Sequence, residues 1–133
     1  MQHQHRWLSL GQREGANLPR IFMVNWFRKH PENGSFLWPG FGENIRVLDW
    51  ALRRCDGEDD AVSSPVGLVP APGALRLDGL EDDVDLETLF STPKQFWMEE
   101  IEELRHYFST QVGHSLPQEI SNQLNELEKR LQN

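Results

Sequence analysis

Phe27, Phe36 and Phe41, with Trp26 beside the first and Asn44 just past the last, are the residues of this 133-residue sequence best suited to binding chemistry. A planar heterocycle taken out of water needs flat faces to stack on and a polar group to read its rim. Stacking a base on an aromatic ring is worth about 1–3 kcal/mol. The segment Ser35-Phe36-Leu37-Trp38-Pro39-Gly40-Phe41-Gly42-Glu43-Asn44 places rings among two glycines and a proline, so it makes neither a good helix nor a long strand. Gly40 and Gly42 let the backbone approach a ligand closely and take positive φ. Asn44 carries both a donor and an acceptor, which suits an edge presenting both. At a helix start it would be joined by free N–H groups and the positive end of the helix dipole. The same rings also fit a packed core by type alone. Their placement on an irregular loop rather than a periodic element favours binding.

Other chemistry is sparse. His3 and His5 sit in a polar terminus with no carboxylate before Glu14 and read as solvated; His30, His106 and His114 stand apart from one another. The single cysteine, Cys55, excludes an internal disulfide and reads as a small buried residue near a helix end, preceded by Arg53 and Arg54. A Gly-x4-Gly-Lys-[Ser/Thr] phosphate loop occurs nowhere in the chain. No catalytic residue and no metal ligand is therefore assigned.

The formal charge of −8 is unevenly spread: eight Lys/Arg face four Asp/Glu in residues 1–55, against one and ten in residues 56–87. An acidic chain is a poor ligand for nucleic acid, where phosphate contacts dominate affinity. The basic first third could still meet a polyphosphate. No apolar run approaches the roughly 20 residues of a membrane span, and the polar Met1–Arg6 predicts no leader within this sequence.

The elements that must position the aromatic loop emerge from periodicity. Residues 6–18 resemble the end of a helix running into a polar link. Phe22–Phe27 is a short continuous apolar run and predicts a buried strand. Arg28–Gly34 is a turn punctuated by Pro31 and Asn33-Gly34. A helix begins at Glu43 or Asn44, with Ile45, Leu48 and Leu52 on one apolar face, an Asp49–Arg53 pair outside and Gly57 as its stop. Residues 58–84 are acidic and irregular, with short extended pieces around 66–69 and 74–77. Asp85–Phe90 is a helical turn or two. Thr92-Pro93-Lys94-Gln95 has the form of a helix start, with Thr as cap, and Trp97, Ile101, Leu104, Phe108 and Val112 form its stripe. Ser115-Leu116-Pro117-Gln118 starts a second helix carrying Ile120, Leu124, Leu127 and Leu131. The fold class expected is mixed α/β and helix-dominated: buried strand, aromatic loop, helix, acidic irregular stretch, C-terminal helical hairpin.

Read as strings, Phe22-Met23-Val24-Asn25-Trp26-Phe27-Arg28-Lys29, Phe36–Asn44 and Arg46-Val47-Leu48-Asp49-Trp50 closely resemble the C-terminal region of the GTP-dependent phosphoenolpyruvate carboxykinases. The likeness runs from about Trp7 to the end, through Pro65–Pro70, Leu89-Phe90-Ser91 and Phe96-Trp97, and leans toward the mitochondrial form over the cytosolic one. The turn at His30-Pro31-Glu32-Asn33 departs from the family's usual basic–acidic sequence.

The resemblance implies that residues 1–133 are the C-terminal part of the family's nucleotide-binding and catalytic domain. It implies a guanine base held between Phe27 and Phe41, flanked by Phe36, edged by Asn44 and lined by Trp26. The family's reaction is that of a decarboxylating lyase of gluconeogenesis, turning oxaloacetate and GTP into phosphoenolpyruvate, GDP and CO2 with Mn2+ and Mg2+. Its phosphate loop, metal ligands and reactive cysteine precede the region matched here. The partner implied for this chain is guanine nucleotide, GTP or GDP. Oxaloacetate and phosphoenolpyruvate belong to the whole enzyme, which the family makes a monomer, and neither nucleic acid nor membrane is expected. The chain alone is expected to be inactive. The alternative is a truncated, non-catalytic protein-interaction piece.

Overall fold

The computed structural model describes residues 2–80 and 83–132, with the side chains of residues 2–5 outside that description. The histidine pair His3 and His5 and the acidic Glu81 and Asp82 thus lie, as side chains, outside the described residues. The chain divides into two compact units, residues 20–91 and residues 1–19 with 92–133.

The unit that carries the aromatic loop is built on helix α2, Asn44–Asp56, the first helix, α1, being Gln2–Gly11 in the other unit. Gly57 stops α2 with a φ of 100°. Its N–H donates to the Arg54 carbonyl and that of Glu58 donates to the Arg53 carbonyl, which closes the helix as a Schellman motif. Arg53 then fastens the segment beyond the helix. Its guanidinium pairs with Asp49 at 3.0 Å, Glu58 at 2.7 Å and Asp60 at 2.6 Å, and donates to the Ala74 carbonyl. These carboxylates raise its pKa further, Glu58 first and Asp49 next. Of the acidic middle of the sequence, Glu58 and Asp60 are thereby tied to the helix end, while Asp56, Asp59 and Asp78 stay exposed.

Strands β1 (Ala61–Ser64) and β2 (Gly67–Pro70) pair antiparallel across a tight turn at Pro65-Val66, with Val62 opposite Val69. The extended piece expected at 66–69 is β2, displaced by one residue. Its partner β1 is not expected from the sequence, because Ala-Val-Ser-Ser alternates too weakly to stand out. Residues 74–77 form no strand. Helix α3 covers Leu86–Phe90, and the Asp85 carboxylate caps it by accepting from the Thr88 N–H at 2.9 Å. That hydrogen bond holds the Asp85 carboxyl below its ordinary pKa.

The expected buried strand at Phe22–Phe27 is corrected. Residues 21–25 are irregular, Ile21 and Met23 are 85% and 92% exposed, and no backbone hydrogen bond joins 21–26 to another described residue. A strand exists only where a neighbour supplies a ladder, and the described residues supply none. The apolar face expected on α2 is also turned outward: Ile45, Leu48 and Leu52 are all more than half exposed. The buried positions of this unit are instead Leu37, Trp38, Trp50 and Leu75, and Phe22 stacks edge-on against Trp50 at 5.8 Å. Cys55, expected buried, is exposed.

In the other unit, helix α4 (Lys94–Tyr107) and helix α5 (Gln118–Gln132) form the expected hairpin. A π-type turn at Phe108–Val112 and a 3-10 turn at Gly113–Ser115 join them. Ile101, Leu124 and Leu131 make its core, with Trp97, Met98, Phe108 and Leu127 packed around them. The start of α4 differs by one position, since Pro93 occupies the cap and no side chain caps the first turn. Pro117 at the start of α5 is fully buried.

Candidate nucleotide-base site

A sharp reversal of the chain sets the aromatic residues. The Leu37 N–H donates to the Arg28 carbonyl at 2.9 Å, and the His30 N–H to the Ser35 carbonyl at 2.8 Å. Asn33 locks the tip, its side-chain oxygen accepting from both the N–H and the hydroxyl of Ser35. This brings Lys29 opposite Phe36 as a single antiparallel bridge. Phe27 and Phe36 become edge-to-face neighbours with centroids 6.1 Å apart, and the Lys29 ammonium lies 5.4 Å from the Phe36 ring centre.

Arg28 anchors the reversal from behind. It donates to the Leu89 carbonyl at 2.7 Å and to both the carbonyl and the hydroxyl of Ser91 at 2.8 Å, closing the end of α3. Partial burial lowers the pKa of its guanidinium. Leu37 and Trp38, buried, then tie the loop to the body of the unit. Gly40, at φ 136°, turns the chain outward into a short 3-10 turn, Phe41–Glu43, which runs into α2. A side chain at that φ would be strained, which is the need that places glycine there.

The result is a cavity of about 700 Å3. Trp26, Phe27, Phe36, Phe41 and Asn44 all line it, together with Leu37, Trp38, Pro39, Gly40 and Asp83. The five residues singled out from the sequence therefore converge on one hollow. Phe27, Phe36 and Phe41 are 74%, 58% and 92% exposed, so three aromatic faces stand open to a ligand. The volume falls in the range of ordinary ligand sites.

Trp38 is a site residue that sequence reasoning misses. Its indole N–H donates to the side-chain oxygen of Asn44 at 2.9 Å. That bond fixes the amide plane and leaves the Asn44 NH2 group to donate into the cavity. Trp38 sits within the aromatic loop, but its type gives no reason to rank it above the neighbouring rings. Arg46, in the first turn of α2, pairs with Glu43 at 2.5 Å and donates to the carbonyls of Arg76 and Asp78. It holds the 76–80 segment beside the loop, a long-range role that spacing along the sequence does not reveal.

Residues 1–130 match the family described as the phosphoenolpyruvate carboxykinase C-terminal P-loop domain. The chain belongs to the GTP-dependent phosphoenolpyruvate carboxykinase family. It is 55% identical over 125 residues to the mitochondrial phosphoenolpyruvate carboxykinase [GTP] of Homo sapiens, covering 94% of this chain and 19% of that protein. The cytosolic enzyme of Gallus gallus is 51% identical over 94% of this chain and 20% of its own length. The phosphoenolpyruvate carboxykinase [GTP] of Ascaris suum is 42% identical over 97% of this chain and 20% of its own. The chain thus spans about a fifth of the length of the curated relatives it matches. Relatives from both compartments match, the mitochondrial forms by a slightly higher identity.

Carboxykinases of this class carry GTP in their names. Among the described residues no group of three or more His, Cys, Asp or Glu could hold a metal ion. No helix among them is long and apolar enough to cross a membrane.

Proposed function

We propose that this chain forms the guanine-base subsite of a GTP-dependent phosphoenolpyruvate carboxykinase, as the C-terminal part of its nucleotide-binding domain. The observation that carries the reading is the convergence of Trp26, Phe27, Phe36, Phe41 and Asn44 on one cavity. Phe27 and Phe41 stack on the two faces of the base, Phe36 flanks it and Trp26 lines the floor. Asn44 donates an N–H to the purine's O6, where adenine would present a donor of its own. This discriminates guanine from adenine because two facing donors leave both unpaired.

The whole enzyme, in this reading, converts oxaloacetate and GTP to phosphoenolpyruvate, GDP and CO2 in gluconeogenesis, with the mitochondrial matrix favoured as its compartment. Mn2+ and Mg2+ supply charge neutralisation at the transferred phosphate, on ligands outside this chain. In this reading the chain by itself binds the base and does not turn over; that its sequence holds no Gly-x4-Gly-Lys-[Ser/Thr] string supports this.

Tryptophan fluorescence titrated with GDP and ADP tests this directly, since Trp26 and Trp38 both line the cavity. Saturable quenching by GDP, weaker with ADP, is expected. Asn44→Asp keeps an acceptor for the Trp38 N–H but loses the amide donor, so it should fold normally and lose the guanine preference. Equal response to GDP and ADP in the unaltered chain would sink the reading.

A further inference from the structure

Among the described residues, Asp83 is the single charged side chain lining the cavity. It is exposed and makes no hydrogen bond or ion pair with another described residue. Described segments on either side of it are nonetheless held. Upstream, Arg46 grips the carbonyls of Arg76 at 2.6 Å and Asp78 at 3.1 Å, and the Leu80 N–H donates to the Leu77 carbonyl. Downstream, the Leu86 N–H donates to the Val84 carbonyl at 2.8 Å and Asp85 caps α3. A carboxylate is thus presented to a largely apolar hollow, where Asn44 supplies the amide.

The chemistry of the pair is specific. The Asn44 oxygen is engaged by Trp38, so Asn44 offers a donor. Asp83 offers acceptors alone, with two oxygens spaced to take two parallel N–H bonds. Guanine presents the complement along one edge: O6 as acceptor, then N1–H and the 2-amino group as donors. Adenine presents the reverse at the 6-amino and N1 positions. Hypoxanthine keeps O6 and N1–H but lacks the 2-amino group, and xanthine carries an oxygen in its place.

We propose that Asp83 determines base specificity by accepting from N1–H and the 2-amino group of the bound guanine while Asn44 donates to O6 on the same edge. The proposal rests on the guanine-subsite reading above. It also accounts for a cost that the site would otherwise carry without return, because a carboxylate near an anionic nucleotide repels it. An Asp83 that made no such contact would weaken every nucleotide equally. One that reads the 2-amino group favours guanine alone.

The test is fluorescence titration of the full chain, unaltered and as Asp83→Ala and Asp83→Asn, with GDP, IDP and XDP. The unaltered chain should prefer GDP to IDP on the order of tenfold, the scale of one charge-assisted hydrogen bond. Asp83→Ala should bring that ratio close to one. Asp83→Asn, which can donate to the xanthine oxygen, should raise XDP affinity relative to GDP. A GDP-to-IDP ratio unchanged by Asp83→Ala, or a parallel tightening of both, overturns the role of Asp83 and leaves the guanine subsite standing. Failure of every nucleotide to bind the unaltered chain overturns the subsite and this proposal together.

Discussion

Phe41 is held almost entirely by backbone. Its ring is 92% exposed, while the turn that carries it depends on Gly40 and on the Glu43 N–H donating to the Gly40 carbonyl. A ring so placed contributes little to folding and is free for a ligand. Phe41→Ala should therefore change unfolding free energy by less than about 0.5 kcal/mol, while weakening GDP binding by about 1–3 kcal/mol. Urea denaturation and the fluorescence titration, run on the same sample, check both halves. Asn44 and Trp38 behave differently, since each satisfies the other and neither can be truncated without orphaning a polar atom.

At the scale of elements, the site depends on how the 28–37 reversal is pinned. Arg28 makes three hydrogen bonds to Leu89 and Ser91 that a planar fork can reach and a lysine cannot. Arg28→Lys should destabilise this unit by about 1–3 kcal/mol and speed hydrogen exchange at the Leu37 amide, which donates to the Arg28 carbonyl. Guanine affinity should fall with it, because Phe27 and Phe36 would lose their fixed spacing. The hairpin of α4 and α5 is a separate matter of packing. Ile101 is 1% exposed at its centre, so Ile101→Ala should cost about 2–5 kcal/mol, read from the thermal unfolding of its helical signal.

For the molecule as a whole, the telling feature is apolar surface without cover. Ile21, Met23, Ile45, Leu48 and Leu52 are all more than half exposed, in a chain spanning about a fifth of its relatives' length. Scattered exposed apolar residues are ordinary, but Ile45, Leu48 and Leu52 share one face of α2 and form a patch. The isolated chain should self-associate as its concentration rises. Replacing these three residues with Gln should reduce that association in sedimentation velocity without loss of α2, whose cap and ion pairs lie elsewhere.

The fold's periodic parts were legible because their causes are local. Helix α2 could be bounded to within a residue from Asn44 and Gly57, and the hairpin from the stripes through Ile101 and Leu124, since caps and periodicity act over a few residues. The aromatic loop could be singled out because rings beside Pro39 and Gly40 contradict both helix and strand. Two kinds of fact needed the tertiary structure. Whether Phe22–Phe27 is a strand, or Ile45, Leu48 and Leu52 a buried face, depends on what lies opposite, and a one-dimensional pattern does not carry its own partner. The orientation of Asn44 by Trp38, the hold of Arg28 on Ser91 and the arrival of Asp83 at the cavity all join residues by side-chain reach and chain reversal. Residue types along the sequence singled out the aromatic loop as a candidate binding site; its folding back on itself decided which groups line the cavity, because hydrogen-bond geometry is set in space rather than along the chain.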